Sequence, residues 1–234
     1  MLKRTIVCGD IHGAHKALLQ CLERSGFDKE NDELIQLGDV ADGWSEVFEC
    51  VETLLSIKHL IPIMGNHDYW TLDWMKNGWM IPDHKSQGGA ATMFSYSERS
   101  SEDRERHLNF FNRQQLFYVD SKNRCFVHGG FNRDYILDSD TNVHNHSWNR
   151  TLWKQALSCK GVKLKTIDNF EEIYIGHTAT TQWDQTFPMK SGGVTNMDTG
   201  AGYMGKLSFM DINTYQVWQS DPVQELYFDE KGRN

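Results

Sequence analysis

Asp10 and His12, Asp39 and Asp42, Asn66 and His67, His128, His177 and Asp198 all stand beside glycines in six short words. In chain order these are Gly9-Asp10-Ile11-His12-Gly13, Gly38-Asp39-Val40-Ala41-Asp42, Gly65-Asn66-His67-Asp68, His128-Gly129-Gly130, Gly176-His177-Thr178 and Asp198-Thr199-Gly200. Carboxylate, imidazole and carboxamide groups placed at strand ends are the makings of a two-metal site for phosphoryl chemistry. Asp10 and His12, two apart on one strand end, point to the same side and can share a cation, while the Asp39 carboxylate has two oxygens and can bridge two. The first metal is therefore expected on Asp10, His12 and Asp39, and the second on Asp39, Asn66, His128 and His177.

Nitrogen and oxygen ligands without thiolate suit Mn, Fe, Zn, Co or Ni, and a pair of divalent ions, Mn2+ first among them, is the expected cofactor. Two such cations outweigh two ligating aspartates and a bridging hydroxide, so the site keeps positive charge that welcomes a phosphate dianion. His67 follows the ligand Asn66 and is free to protonate a leaving oxygen, with Asp42 holding it as the imidazolium. His15, His59, His84, His107, His144 and His146 lack such a context and are expected to be surface or satisfied polar groups, His144 and His146 lying nearest the motifs.

These groups need strands to carry them. Short apolar runs at residues 5–8, 33–37, 60–64, 124–127 and 171–175 each precede a polar word and read as buried strands. Ala17, Leu18, Cys21 and Leu22 recur at helical spacing, and Val47, Phe48, Val51, Leu54 and Leu55 give a second amphipathic helix with Ser45 as its expected N-cap. The pattern is β-α-β-α-β, an α/β chain. Residues 69–122, rich in tryptophan and then in charge, read as helices and loops laid over the sheet edge. Three strands are expected late, at 193–197, 206–212 and 215–220, the last two joined by a hairpin at Asn213-Thr214.

Composition limits the alternatives. The 234 residues, 39% hydrophobic and 24% charged, fit one domain over 1–234, and no apolar run approaches the ~18 to 20 residues that cross a bilayer. The start enters a strand with no long apolar stretch, so no signal peptide is expected. Five scattered cysteines without a Cys-x-x-Cys pair imply a reducing compartment, and the cytoplasm is the expected location. A net charge of -8 argues against a stable nucleic-acid complex.

The six words, with Gln87-Gly88-Gly89-Ala90-Ala91-Thr92, Trp148-Asn149-Arg150, Ala201 and Gly205-Lys206-Leu207, resemble the calcineurin-like metallophosphoesterase superfamily. Within it the chain is most similar to prokaryotic and phage phosphoprotein (serine/threonine) phosphatases, with diadenosine tetraphosphatases as close relatives. The resemblance runs from Ile6 to about Ser220. It implies a four-layer αββα sandwich of two mixed β-sheets flanked by helices, with the dinuclear site at the strand ends. Phosphodiesterase-like members carry a second histidine two residues after the first; here that position is Ala179, which favours the phosphatase-like branch.

Other departures bear on substrate. The family's arginine after the second aspartate is replaced by Gly43, followed by Trp44, its arginine before Gly-Asn-His is Met64, and its Gly-Asn-His-Glu has become a word ending in Asp68. Two guanidinium forks are missing, which weakens bidentate phosphate recognition. Arg150, in the Trp-x-Arg word, and Arg133 are the candidate phosphate-binding residues. Trp44 offers either an aromatic face for a base or packing under the Trp70 to Trp79 cover.

The expected activity is hydrolysis of phosphomonoesters, phosphoproteins included, by in-line attack of a metal-bridging hydroxide with His67 as general acid. A dinucleoside polyphosphatase, or a phosphodiesterase acting on nucleotides or RNA ends, is the enzymatic alternative, and a non-catalytic metal-binding module the alternative of another class. The partners implied are a phosphoprotein, a nucleotide or a small phosphoester, with no membrane; oligomeric state is left open.

Overall fold

A computed structural model describes residues 3–159 and 161–233; Met1 and Leu2, where the expected leaderless start begins, lie outside them. Alternation of apolar side chains through the short strands sends them to two different layers. In β1 (Thr5–Cys8), Ile6 and Cys8 face outward to the helices while Val7 faces a second sheet, and in β2 (Glu33–Gln36) Leu34 and Ile35 divide in the same way. Strands apolar on both faces are what a buried parallel sheet requires.

The first sheet runs β10-β9-β1-β2-β3, with β3 at His59–Pro62, β9 at Ser208–Asp211 and β10 at Val217–Gln219. Its β1, β2 and β3 are parallel, and β9 and β10 add an antiparallel edge. The second sheet runs β4-β5-β6-β8-β7, from β4 (Phe117–Val119), β5 (Arg124–Val127), β6 (Glu172–Ile175), β7 (Met189–Ser191) and β8 (Val194–Asn196). Here β5, β6 and β8 are parallel and the edges antiparallel. Between the sheets lie Val7, Ile35, Leu37, Ile63, Phe126, Tyr174, Met197 and Met210, with Phe126 stacked on Tyr174 at 5.0 Å.

Helices close both outer faces. On the first sheet sit α1 (His15–Ser25), α2 (Val47–Leu55) and α3 (Asn66–Asn77). The expected cover follows as α4 (Pro82–His84), a wide turn at Lys85–Gly89, α5 (Ala90–Ser95) and α6 (Ser101–Asn112). Beyond them come α7 (Val143–Ser147), then α8 (Thr151–Ser158), whose Leu152, Trp153 and Ala156 pack on the second sheet, and finally α9 (Val223–Leu226). Two mixed sheets flanked by helices are the architecture that the motifs implied.

Some expectations fail locally. Ser45 does not cap α2; its Oγ donates to Glu230 Oε1 at 2.8 Å, because the segment after α9 lies across this loop. The β9–β10 turn is wider than two residues: Asp211 Oδ1 accepts from Asn213 N and Thr214 N, and Tyr215 turns back at φ 60°. The short edge strands β4 and β7 carry no long apolar run, and β4 falls within 69–122, where only cover was expected.

Candidate metal centre

Each polar word begins where a parallel strand ends. Asp10 and His12 follow β1, Asp39 follows β2, Asn66 and His67 open α3 just after β3, His128 follows β5 and His177 follows β6. Carboxyl ends of parallel strands are where α/β proteins gather ligands, since the chain leaves the sheet there and exposes side chains in loops. The first sheet therefore supplies Asp10, His12, Asp39 and Asn66, and the second supplies His128 and His177.

All six side chains are buried or nearly so. His12 Nε2 lies 3.9 Å from Asp10 Oδ2 and 3.6 Å from Asp39 Oδ2, while His128 Nε2 lies 3.2 Å from Asp39 Oδ2 and 3.1 Å from Asn66 Oδ1. Asp39 Oδ2 thus stands between two clusters, Asp10–His12–Asp39 and Asp39–His128–His177, each compact enough to hold one ion. His12 Nδ1 is bonded to the carbonyls of Ala41 and Asp42, both at 3.0 Å, and His128 Nδ1 to that of Leu37 at 2.7 Å. Carbonyls take only N–H donors, so Nδ1 carries a proton in both rings: His12 presents the Nε2 lone pair inward, whereas His128 Nε2 faces the Asp39 and Asn66 oxygens as an N–H and would offer its lone pair once a cation displaced that proton.

Electrostatics agree with that role. Burial, and next the Asp198 charge, push the Asp10 carboxyl well above its ordinary range. Burial also acts on Asp39, but His128, His67 and His12 around it win and hold it well below. His128 is drawn down by burial yet raised to about 9 by the Asp39 carboxylate. His12 is pushed down to about 3 by burial and then by Arg233, and burial likewise lowers His177. Asp39 Oδ2 and His177 Nε2 are buried with no hydrogen-bond partner among the described residues. Buried carboxylates facing inward lone pairs are costly unless cations join them, so the donor set fits divalent metals.

Backbone geometry marks the same residues. His12, Asp39, Asp42 and His177 have φ values of 53°, 55°, 67° and 67°, a left-handed region that non-glycine residues enter at a cost of order 1 kcal/mol or more. Four such residues at one site turn their side chains where a regular strand end would not. At Gly65 a Cβ would come within 2.2 Å of Asp39 Oδ1, so only glycine lets α3 start against that carboxylate.

His67 stands beside this group. Its backbone N–H donates to Asp39 Oδ1 at 2.9 Å, its Nδ1 pairs with Asp42 Oδ2 at 2.7 Å, and its Nε2 is buried with no partner among the described residues. Asp42 is gripped further by His84 Nε2 at 2.9 Å and by the Thr92 hydroxyl, which donates to Oδ1 at 2.6 Å. Burial raises Asp42, but the hydrogen bonds from His67 and His84 prevail and hold it at about 2. His84, expected as a surface or satisfied polar group, is the latter: it is buried with Nε2 on the Asp42 carboxylate, which makes it part of this network. Its place just before the Gln87-Gly88-Gly89 word was the signal that could have found it.

Asp68, the residue that departs from the family word, ties the site loops together. Its Oδ1 accepts from Val40 N (2.8 Å) and Ala41 N (3.0 Å), and its Oδ2 from Gln114 Nε2 (2.8 Å) and Gly65 N (3.3 Å), which also caps α3. Asp68→Ala leaves four buried donors without an acceptor and is expected to destabilise the protein by about 2–4 kcal/mol. Urea unfolding of the chelated protein measures this; a loss below about 0.5 kcal/mol would contradict the role.

The candidate arginines are placed differently. Arg150 Nη1 donates to the His177 carbonyl (3.0 Å) and Thr178 Oγ1 (2.7 Å), so it stands at the second ligand cluster. Arg133 approaches Asp134 at 3.9 Å and bonds to none of the six candidate ligand residues. Trp44 is fully buried, stacked on Tyr227 at 5.1 Å with Nε1 donating to Ala201 O at 2.7 Å. It offers no face to a base, because Tyr227 of the late segment stacks on its ring, and it packs in the same core cluster as Trp74 of the cover. A third basic residue, Arg233, which no motif pointed to, places Nη1 at 3.1 Å from His12 Nε2.

Comparisons with known proteins agree with this geometry. The profile of the family described as calcineurin-like phosphoesterase matches residues 3–190. Serine/threonine-protein phosphatase 2 of Salmonella typhimurium is 27% identical over 217 residues, covering 88% of this chain and 91% of that protein. A symmetrical bis(5'-nucleosyl)-tetraphosphatase from Pseudomonas fluorescens is 28% identical over 141 residues, 57% of this chain and 45% of that protein. Among solved structures, a candidate diadenosine tetraphosphatase superposes with a TM-score of 0.68 at 15% identity, covering 94% of this chain and 93% of that one. That likeness speaks for the fold. No helix among the described residues is long and apolar enough to cross a membrane. Family profile, relatives and ligand-rich strand ends converge: the chain belongs to the calcineurin-like phosphoesterase family and is a metal-dependent hydrolase of phosphoesters.

Proposed function

We propose that the chain is a phosphatase acting on phosphomonoesters, phosphoproteins among them, with Asp10, His12, Asp39, Asn66, His128 and His177 holding two manganese ions. The observation that carries this reading is the His67 ring, with Nδ1 fixed on Asp42 and Nε2 free and buried at the edge of the ligand set. Divalent ions bound there supply a deprotonated water at neutral pH and draw charge from the phosphoryl oxygens. As a water-derived oxygen bonds to phosphorus, the ester P–O bond breaks opposite, and its electron pair stays on the leaving oxygen. His67 Nε2 gives that oxygen a proton, and Asp42 keeps the ring oriented and stabilises its charged form. Arg150, beside His177, is positioned to grip a phosphoryl oxygen. Five free thiols, four of them buried, support a reducing compartment such as the cytoplasm.

Hydrolysis of p-nitrophenyl phosphate by the Mn2+-loaded protein, abolished by chelation and restored by Mn2+, is the expected result. Loaded protein that hydrolyses no phosphoester would refute the reading. A second reading, hydrolysis of a dinucleoside polyphosphate, draws on one specific feature. Trp70 lies 5.1 Å from His67 and 5.7 Å from Trp148, which in turn stands 4.5 Å from His144. This aromatic wall borders the proton donor, and bases stack on such walls. A panel pairing diadenosine tetraphosphate with phosphopeptides decides between the two by kcat/KM.

A further inference from the structure

Arg233 reaches the metal centre by a path cut for it. Beyond α9, Tyr227 stacks on Trp44, Glu230 accepts from Ser45 N (3.0 Å) and Ser45 Oγ (2.8 Å), and Arg233 N donates to Gly202 O at 2.8 Å. These bonds fix the segment against the loop that follows Asp42. The arginine's aliphatic stem then runs through space that two glycines leave open: a Cβ on Gly43 would meet Arg233 Cγ at 3.2 Å, and one on Gly202 would meet Cδ at 3.2 Å. The guanidinium sits 5.1 Å above the Tyr203 ring, with Nη1 at His12 Nε2 (3.1 Å) and Nη2 near Gln87 Oε1 (3.5 Å). Gly43 is the position at which the family word carries an arginine that this chain lacks.

The His12 Nε2 lone pair can serve an N–H or a metal ion, but not both. When a cation takes that lone pair, the Arg233 fork loses its partner while its backbone, stem and ring contacts still hold it at the first ligand cluster. A planar fork of N–H donors beside a divalent ion matches a tetrahedral oxyanion, whose oxygens can face the ion and the fork together. Arg150 stands at the opposite cluster, beside His177. Resting on the reading of this centre as a phosphatase site, we propose that Arg233 binds a phosphoryl oxygen of the substrate at the first ligand cluster, in place of the arginine missing at Gly43.

The test is equilibrium dialysis of inorganic phosphate against Mn2+-loaded wild type, Arg233→Ala and Arg233→Lys, with Mn2+ affinity titrated separately for each. Arg233→Ala is expected to weaken phosphate binding about tenfold to a hundredfold, and Arg233→Lys less, because a lysine keeps the charge without the fork. Mn2+ affinity should hold or rise, as the residue is not a ligand and its N–H competes with the ion for the His12 lone pair. Equal phosphate affinity in wild type and Arg233→Ala overturns the proposal. So does a loss of phosphate affinity that merely follows a loss of Mn2+ affinity, or tighter Mn2+ binding with phosphate unchanged, which would make the guanidinium only a competitor of the ion. Wild type that neither binds phosphate nor hydrolyses a phosphoester defeats the phosphatase reading itself; hydrolysis intact with Arg233→Ala binding phosphate like wild type defeats this inference alone.

Discussion

His67→Ala is expected to lower kcat by about 10²–10⁴-fold on an alkyl phosphate, with Mn2+ content unchanged. The expectation rests on placement: Nε2 is buried beside the candidate ligand residues with no hydrogen-bond partner among the described residues, and Nδ1 is committed to Asp42. A proton donor matters most when the departing oxygen is strongly basic. The loss should therefore be large for an alkyl phosphate and smaller for p-nitrophenyl phosphate, whose leaving group needs little help. Removing the ring from beside the ligands without removing a ligand should leave KM nearly as it was. Comparing kcat across leaving groups of graded basicity checks this. A variant that turns over the alkyl phosphate within about threefold of wild type would show that His67 is not the acid. Since Asp42 stays ionised down to about pH 2, the pair persists through the working range, and Asp42→Asn should cost less than His67→Ala because the ring remains.

Asp39→Asn should be the most damaging ligand change. Asp39 Oδ2 lies within 3.6 Å of His12 Nε2 and 3.2 Å of His128 Nε2, so this one carboxylate serves both clusters. The amide removes the charge and turns one potential ligand oxygen into an N–H donor. We expect the bound Mn2+, measured by elemental analysis after dialysis, to fall from two per chain to one or fewer, and turnover to drop at least about 10³-fold. Wild type should gain about 2.7 kcal/mol of stability for each ion it binds at a metal concentration of about 100 times that site's Kd. In a chain of this size that is a rise in Tm of roughly 5–10 °C. Asp39→Asn should show little of this rise; an undiminished rise with two ions retained would remove Asp39 from the bridging position.

The candidate ligand residues that the structure gathers were legible as a group because they lie in local words: a strand's apolar run, a glycine-permitted turn and a polar side chain lie within a few residues of one another. Asp10 with His12, and Asn66 with His67, could be found in this way, as could the five strands that precede the words. What escaped depends on distant chain segments. Nothing near Ser45 says that Glu230 will take its hydroxyl, so the helix cap was misplaced. Nothing near Trp44 says that Tyr227 will cover its ring, and the base-stacking alternative fell for that reason. His84 lies 42 residues from its carboxylate partner Asp42, and Arg233 lies 221 residues from His12. Such pairings are set by tertiary packing, which local periodicity does not encode.

The two-sheet origin of the ligands has a mechanical consequence. The layer between the sheets is filled by side chains such as Val7, Ile35, Phe126 and Tyr174, whose contacts have no direction and resist sliding weakly. At the far end Arg124 Nη1 donates to Ile212 O at 3.0 Å and ties the sheets there. At the near end, ions shared by Asp39 of one sheet and His128 and His177 of the other would act as a rivet, setting the offset of the sheets to within a coordination bond. Emptying the centre would leave that edge to cross-sheet hydrogen bonds such as His128 Nδ1 to Leu37 O (2.7 Å), and β1, β2, β5 and β6 would exchange their amide hydrogens faster from that edge inward.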